Sequence, residues 1–360
     1  MFSDFAPALS SLQLPLRIEL PEKQPLELGP APQVTLRVLD PALLAGDAPG
    51  LDELAAAWRD HRIELDGPIM QVVEVAARLG AAGGGPGTGE SLARDGNLPG
   101  DFFRLWLDPE LVPSCAHFET GSMPLAAAQV AQLRRLCRRL RLQPGATLLD
   151  AGGGWGALAR LAAREFGVKV LALVDHPQQL ALGNERIRAE GLQGHVQLEL
   201  AAAYTPPRGH FDGIVAIGLL GAGISLDADD WPRLQQALRP GGLLLRHALT
   251  VHKNKMPAPA GGDFMRRHLF AQNVPAALPQ TLAALETAGL EVIGTENLHA
   301  HQLRTLECWS ANLERHLPQA RHLLPAPSLR LWRLYLAGCA CAARQGWLQL
   351  HEIVARKPGN

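Results

Sequence analysis

Paired cysteines are missing from this chain. Its five, Cys115, Cys137, Cys308, Cys339 and Cys341, are odd in number and form no C-x-x-C spacing. This argues against a disulfide framework or a zinc ribbon and fits a reduced compartment. No apolar run reaches the roughly 18 residues of a membrane span. The opening Met-Phe-Ser-Asp-Phe has no basic stretch leading into an apolar one, so no secretory signal is expected. Net charge is nearly absent too: Lys+Arg 34 against Asp+Glu 35 leaves −1, with no basic field to draw nucleic acid. Tyrosine is scarce, only Tyr204 and Tyr335 beside seven Trp and nine Phe. At 47% hydrophobic and 19% charged residues, a collagen, a coiled coil and a disordered acidic chain are excluded. The expectation is a cytoplasmic protein, with nothing to prevent work at the inner face of a membrane.

What is present is glycine and proline, 36 and 28 of them in 360 residues. Their densest stretch, residues 81–100, cannot hold a helix or strand and reads as a linker. Before it, residues 1–80 form a small α+β domain. Strands are expected at 16–20, 34–38 and 62–65, and helices at 51–61 and 69–79. After it, residues 101–360 form a larger domain, two domains being what this length predicts at about 150 residues each.

The larger domain opens with helical spacing over 125–142, with Arg134, Arg135, Arg138, Arg139 and Arg141 along one side. Such a run suits phosphate or anionic lipid, but a solvated helix face is its commoner meaning and is the reading adopted. From Ala146 strands (147–150, 169–174, 196–200, 213–217, 242–249) alternate with helices (156–166, 177–190, 231–238, 279–288). That rhythm means right-handed crossovers and a parallel sheet. Two further strands, 291–298 and 347–356, flank helices at 304–316 and 328–345. The fold class is α/β: a doubly wound, mostly parallel seven-stranded sheet closed by a late strand pair.

The strongest motif joins the first of these strands to its helix: Asp150-Ala151-Gly152-Gly153-Gly154-Trp155-Gly156. Gly152, Gly154 and Gly156 permit a tight turn and close approach to a ligand, at the crevice where open α/β sheets bind cofactors. The spacing is G-x-G-x-G, not the G-x-G-x-x-G of dinucleotide folds. Trp155-Gly156-Ala157 also lacks the Lys and hydroxyl of a phosphate loop. An acid followed by this spacing resembles the S-adenosylmethionine loop of class I methyltransferases.

With Trp155 included the match narrows. Together with Pro113-Ser114-Cys115-Ala116-His117-Phe118, the turn resembles the cyclopropane fatty acid synthases and their mycolic acid methyltransferase relatives. Further landmarks follow in order: Asp101-Phe102-Phe103 to Asp108-Pro109, Gln129, Gln179, Glu185-Arg186-Ile187, Phe211-Asp212, Pro240-Gly241-Gly242, Asp263-Phe264, Thr305-Leu306-x-x-Trp309 and Arg356-Lys357-Pro358. Even Ile63-Glu64-Leu65-Asp66-Gly67 is similar to the small lipid-engaging domain of longer members. The resemblance implies transfer of the S-adenosylmethionine methyl to the double bond of an unsaturated phospholipid acyl chain, with a bound bicarbonate removing a proton so that a ring closes. It implies cofactor contacts from Ser114, Asp150, Gly152, Gly154, Trp155, Gly156 and Gln179, and a catalytic bicarbonate site at Cys115, His247 and Leu249. Asp175 ends the second strand and reads either as a ribose ligand or as the N-cap of the helix from Pro177.

The chain departs from the family pattern at several of its site positions. Gly221 stands for the family's bicarbonate-orienting glutamate, Gln302 and Pro113 for tyrosines, His117 for an aromatic, Ala203 for the acid before Tyr204, and Asp95-Gly96-Asn97 for H-Y-D. Ring closure is therefore less expected than a methyl or methylene branch. The alternative is a catalytically degenerate paralogue serving as a lipid-binding or accessory subunit. A small-molecule methyltransferase is disfavoured by the lipid-type N-terminal domain. The sequence does not fix the oligomeric state, a homodimer included.

Overall fold

The computed structural model describes residues 13–44, 51–81, 98–201, 211–217, 230–251 and 275–359. Residues 82–97 of the Gly/Pro stretch, Ala203, Tyr204, Gly221, Asp263 and Phe264 lie outside them. The chain divides into two units. One comprises Met1–Leu98, Asn254–Val274 and Leu313–Trp347; the other comprises Pro99–Lys253, Pro275–Asn312 and Leu348–Asn360.

In the first unit, strands β1 (Leu16–Glu19), β2 (Leu26–Glu27), β3 (Val34–Val38) and β4 (Ile63–Asp66) form a sheet in the order β2-β1-β3-β4. The β1–β3 pair is parallel and the other two pairs are antiparallel. Alternation sends Leu16, Ile18, Val34, Leu36 and Val38 inward while Arg17 and Arg37 stay out, the period of two that a half-buried strand requires. Helices Leu51–Arg59 and Ile69–Ala81 cover the apolar face. A third cover comes from far along the chain: Leu334, Ala337 and Cys341 of helix Ala326–Arg344 are buried in the same core. Hydrophobic spacing predicts that helix but cannot show which core it fills. Arg330 seals the contact by donating to the Arg59 carbonyl at 3.3 Å. An apolar cavity of about 90 Å³ lies inside this unit, lined by residues that include Leu36, Trp58, Val73, Leu334, Cys341 and Trp347.

The second unit carries strands β5 (Thr147–Asp150), β6 (Lys169–Val174), β7 (Val196–Leu200), β8 (Phe211–Ala216), β9 (Leu238–Val251), β10 (Glu291–Asn297) and β11 (Leu348–Arg356). They pair in the order β10-β11-β9-β8-β5-β6-β7. The five strands from β9 to β7 run parallel; β11 enters antiparallel to both β9 and β10. This is the doubly wound, mostly parallel seven-stranded sheet with a late antiparallel pair that the sequence predicts. The central strands read as near-continuous apolar runs because helices bury both faces. Leu133, Leu136, Leu158 and Leu161 pack on one face, and Trp231, Leu234 and Leu285 on the other.

Differences from the expected elements are small. β9 begins at Leu238, and short helices at Gly100–Arg104 and Leu317–Leu323 are additional. Both helices begin beside a proline, Pro99 and Pro318, at the helix start where the fixed φ and missing N–H of proline are tolerated. Truncating the fully buried Ile214 in β8 to alanine is expected to lower stability by about 2–5 kcal/mol, read as a reduced urea midpoint. A loss below about 1 kcal/mol would contradict this packing of the sheet.

Candidate active site

The glycine bend follows β5. Ala151 N–H donates to the Val215 carbonyl at 2.8 Å and Gly153 N–H to the Leu173 carbonyl at 2.8 Å, so main chain meets main chain from both neighbouring strands. A Cβ at Gly152 would collide with the Ile217 carbonyl oxygen. Gly156 starts the helix Ala157–Phe166 at φ +78°, a left-handed conformation that β-carbons resist. Asp150 ends β5 at 3% exposure, and its only hydrogen bond among the described residues is a long one, 3.4 Å from Gly152 N–H. Burial pushes its carboxyl up to about 7, with that N–H acting weakly in the other direction. A bend only glycine can make, beside an under-satisfied buried acid, fits a polar cationic ligand such as S-adenosylmethionine.

The 113–118 segment lies against this bend. A Cβ built at Gly154 would stand 3.5 Å from Pro113 Cγ. Gln129, buried on helix Leu125–Arg139, holds the segment by donating from Nε2 to the Ser114 carbonyl at 2.9 Å and the Val112 carbonyl at 3.3 Å. Thr305 Oγ1 accepts from Ala116 N–H at 3.0 Å, and His301 Nδ1 accepts from Phe118 N–H at 3.2 Å. Trp155 is 4% exposed; its ring packs on Phe103 at 5.7 Å and its far edge faces Gly100. Phe103 continues to Trp106 and Trp309, an aromatic wall behind the bend.

Beyond β6, Asp175 is exposed, and its main-chain N–H donates to Gln179 Oε1 at 3.3 Å. The N-cap of helix Pro177–Ala189 is His176, whose Nδ1 accepts from Gln178 N–H at 3.2 Å. The capping alternative for Asp175 is thereby corrected: the extended backbone that a cap needs falls one residue later.

The proposed catalytic residues gather on one face of the late strands. His247 pairs with Glu352, and Leu249 with Leu350, across β9 and β11. Cys115 packs with Leu249, Leu298 and Leu350. Its thiol donates to the Ala116 carbonyl at 3.3 Å, and burial pushes it up to about 12, so it is a neutral, unreactive group. Gln302 is 5% exposed.

Sequence reasoning missed the acid here. Glu352 has a side chain 0% exposed; its Oε2 lies 3.4 Å from His247 Nε2. Its Oε1 accepts from Arg135 Nη2 at 3.0 Å and Arg139 Nε at 2.9 Å. Burial by itself would raise this carboxyl, but the His247 ring and the two guanidinium groups outweigh it and hold it below the usual carboxylate range. Gln132 reaches the same imidazole nitrogen at 3.3 Å. The arginine run is therefore not simply a solvated face. Arg134 does pair at the surface with Glu165, but Arg135, its side chain 14% exposed, turns inward. The usable signal was an acid inside the apolar strand Leu348–Arg356 and a basic helix able to meet it.

A seven-stranded sheet with antiparallel β11, and a glycine bend after its first strand with an acid beside it, define a class I S-adenosylmethionine-dependent methyltransferase. Comparison with known proteins narrows this. The family model for mycolic acid cyclopropane synthetase matches residues 90–353. A probable fatty acid methyltransferase of Pseudomonas putida is 37% identical over 99% of this chain and 96% of its own length. Cyclopropane mycolic acid synthase 1 of Mycobacterium tuberculosis is 30% identical over 72% of the chain and 94% of its own. The solved cyclopropane synthase MmaA2 from Mycobacterium tuberculosis superposes with TM-score 0.67 at 28% identity, covering 74% of this chain and 97% of that one. A mycolic acid cyclopropane synthase CmaA1 complexed with SAH and CTAB gives TM-score 0.67 at 27% identity, with the same coverage. The chain belongs to the mycolic acid cyclopropane synthetase family.

The raised Asp150 carboxyl has a consequence for stability. Its folded pKa, about 7 against the ordinary 3.8 of an aspartate, means that the folded state binds the extra proton, so stability falls as pH rises through that interval. In ligand-free protein, Asp150→Asn is expected to stabilise by about 2–4 kcal/mol at pH 8, the gain shrinking toward nothing near pH 4. Melting curves that coincide with wild type at pH 8 would contradict the buried, under-satisfied acid.

Proposed function

We propose that this chain moves the methyl of S-adenosylmethionine onto the double bond of an unsaturated phospholipid acyl chain, with a methyl or methylene branch as the favoured product. The observation that carries the reading is the apolar cluster of Cys115, Leu249, Leu298 and Leu350 beside buried His247 of β9, with only β8 between that strand and the β5 that leads into the glycine bend. An alkene is a weak nucleophile and needs such a dry surface.

S-adenosylmethionine supplies a methyl on a positively charged sulfur. The bend at Gly152, Gly154 and Gly156 admits the nucleoside close to the main chain. Asp150 offers a carboxylate to its cationic end, Ser114 and Trp155 border it, and Asp175 and Gln179 supply the ribose side. Cys115, as a neutral thiol, contributes shape and dryness and not a nucleophile. The apolar cavity of about 90 Å³ in the first unit supports engagement of lipid chains. No described helix is long and apolar enough to cross a membrane, and we place the protein in the cytoplasm, working at the inner membrane face.

Expression in a host rich in monounsaturated phospholipids, followed by mass analysis of its acyl chains, tests this. A gain of one methylene per chain is expected, and hydrogenation then separates ring from branch. His247→Ala should remove the product. Lipid bound without any mass gain is what a degenerate paralogue would give, and would overturn the reading.

A further inference from the structure

His247 and Glu352 form a buried pair whose chemistry differs from an anion site. Both side chains are sealed, at 2% and 0% exposure. The carboxylate is held in register by the β9–β11 pairing of the two residues and by Arg135 and Arg139 from helix Leu125–Arg139. A carboxylate 3.4 Å from Nε2 calls for the proton on Nε2. Gln132 Nε2 stands 3.3 Å from the same nitrogen, and turning that amide over places its otherwise unpartnered buried oxygen there instead, opposite the Nε2 proton. This leaves the lone pair on Nδ1. That atom is buried and has no hydrogen-bond partner among the described residues.

Among the described residues, the donor set on the Nε2 side of His247 does not suit an added bicarbonate. An anion beside Nε2 would meet Glu352, whose charge Arg135 and Arg139 stabilise and whose position it already fills. Arg135 is further committed to Glu296 on β10 at 2.6 Å. Cys115, facing the pair from the 113–118 segment, is a neutral thiol and supplies no positive charge. Charged or titratable groups around the pair include Glu352 from β11, Glu296 from β10, Arg135 and Arg139 from the helix, Cys115 and His117 from the 113–118 segment, and His301, which stacks on His117.

We propose that Glu352 is the positioning residue that fixes His247 as its Nε2–H tautomer, so that Nδ1 serves as the protein's own base for the methylated acyl chain. The inference rests on the methyltransferase reading above. In the proton step, the Nδ1 lone pair takes a hydrogen from carbon. For a ring, the C–H pair of the new methyl group moves to the electron-deficient carbon one atom beyond its neighbour and closes a C–C bond; for a branch, the C–H pair of a carbon directly attached to the electron-deficient one becomes a C=C bond. The imidazolium that results is matched by the Glu352 carboxylate, as a His–carboxylate pair can do in a dry site.

The test uses the full-length protein labelled with nitrogen-15 at histidine. Without any ligand, the His247 ring should show Nε2 protonated and Nδ1 bare near pH 8, and Glu352→Gln should raise the share of the Nδ1–H tautomer. With unsaturated phospholipid vesicles and S-adenosylmethionine, Glu352→Gln should cut kcat by about 10²-fold or more. KM for the vesicles and the affinity for S-adenosylhomocysteine should stay within about twofold, and Glu352→Asp should restore part of the rate. Product formation should be the same in carbonate-free and bicarbonate-supplemented buffer.

An Nδ1–H tautomer in the unmodified protein would overturn the proposal even if Glu352→Gln fails to fold. So would an undiminished Glu352→Gln rate, or a rate that needs bicarbonate; both leave the methyltransferase reading standing. Wild-type protein that never methylates lipid would overturn that reading and this inference with it.

Discussion

The approach of main chain to main chain at residues 151–156 is the constraint on which the second unit depends. β5 sits between β6 and β8, and the bend at its end is tied to both of them by hydrogen bonds from Ala151 and Gly153. Because no side chain fits at Gly152, the crevice outside the strand ends is lined by backbone. The bend also fixes what surrounds it: Asp150 is trapped beneath, Pro113 rests against Gly154, and Trp155 is pinned into the aromatic wall. A side chain at Gly152 would press on the Ile217 carbonyl just past β8, and one at Gly153 on Ala172 and the Leu173 carbonyl of β6, so a wider residue at either place pushes on a neighbouring strand.

Two buried carboxylates show how environment separates chemistry in one domain. Asp150 has one long hydrogen bond, and desolvation raises it toward neutrality. Glu352 is as deeply buried but meets two guanidinium groups and an imidazole, which keep it charged. Burying a charge is costly unless it is paired and hydrogen-bonded, and the pairing here draws Arg135 and Arg139 across from a helix to β11.

Much of this was legible from residues in order. The G-x-G-x-G spacing between an apolar strand and an alanine-rich helix located the bend, since backbone conformation is local. Strand and helix alternation gave the parallel sheet for the same reason. Partnerships between distant segments were not legible. The arginines of 134–141 have the periodicity of a solvated face, and nothing local shows that Arg135 and Arg139 meet an acid some 213–217 residues away. Likewise, helix Ala326–Arg344 is apolar on the side any core would accept, and only the packing of Leu334, Ala337 and Cys341 shows that it completes the first unit. The cap of helix Pro177–Ala189 shifted from Asp175 to His176 because a side-chain preference is weaker than the backbone angle at the strand end.

Titration calorimetry of S-adenosylhomocysteine into the unmodified protein at pH 8 tests the central claim most directly. One saturable site per chain, lost when Gly152 is replaced by valine in a variant that still folds, is the result predicted. No heat of binding at millimolar ligand would contradict it, leaving a methyltransferase fold whose bend holds no nucleoside.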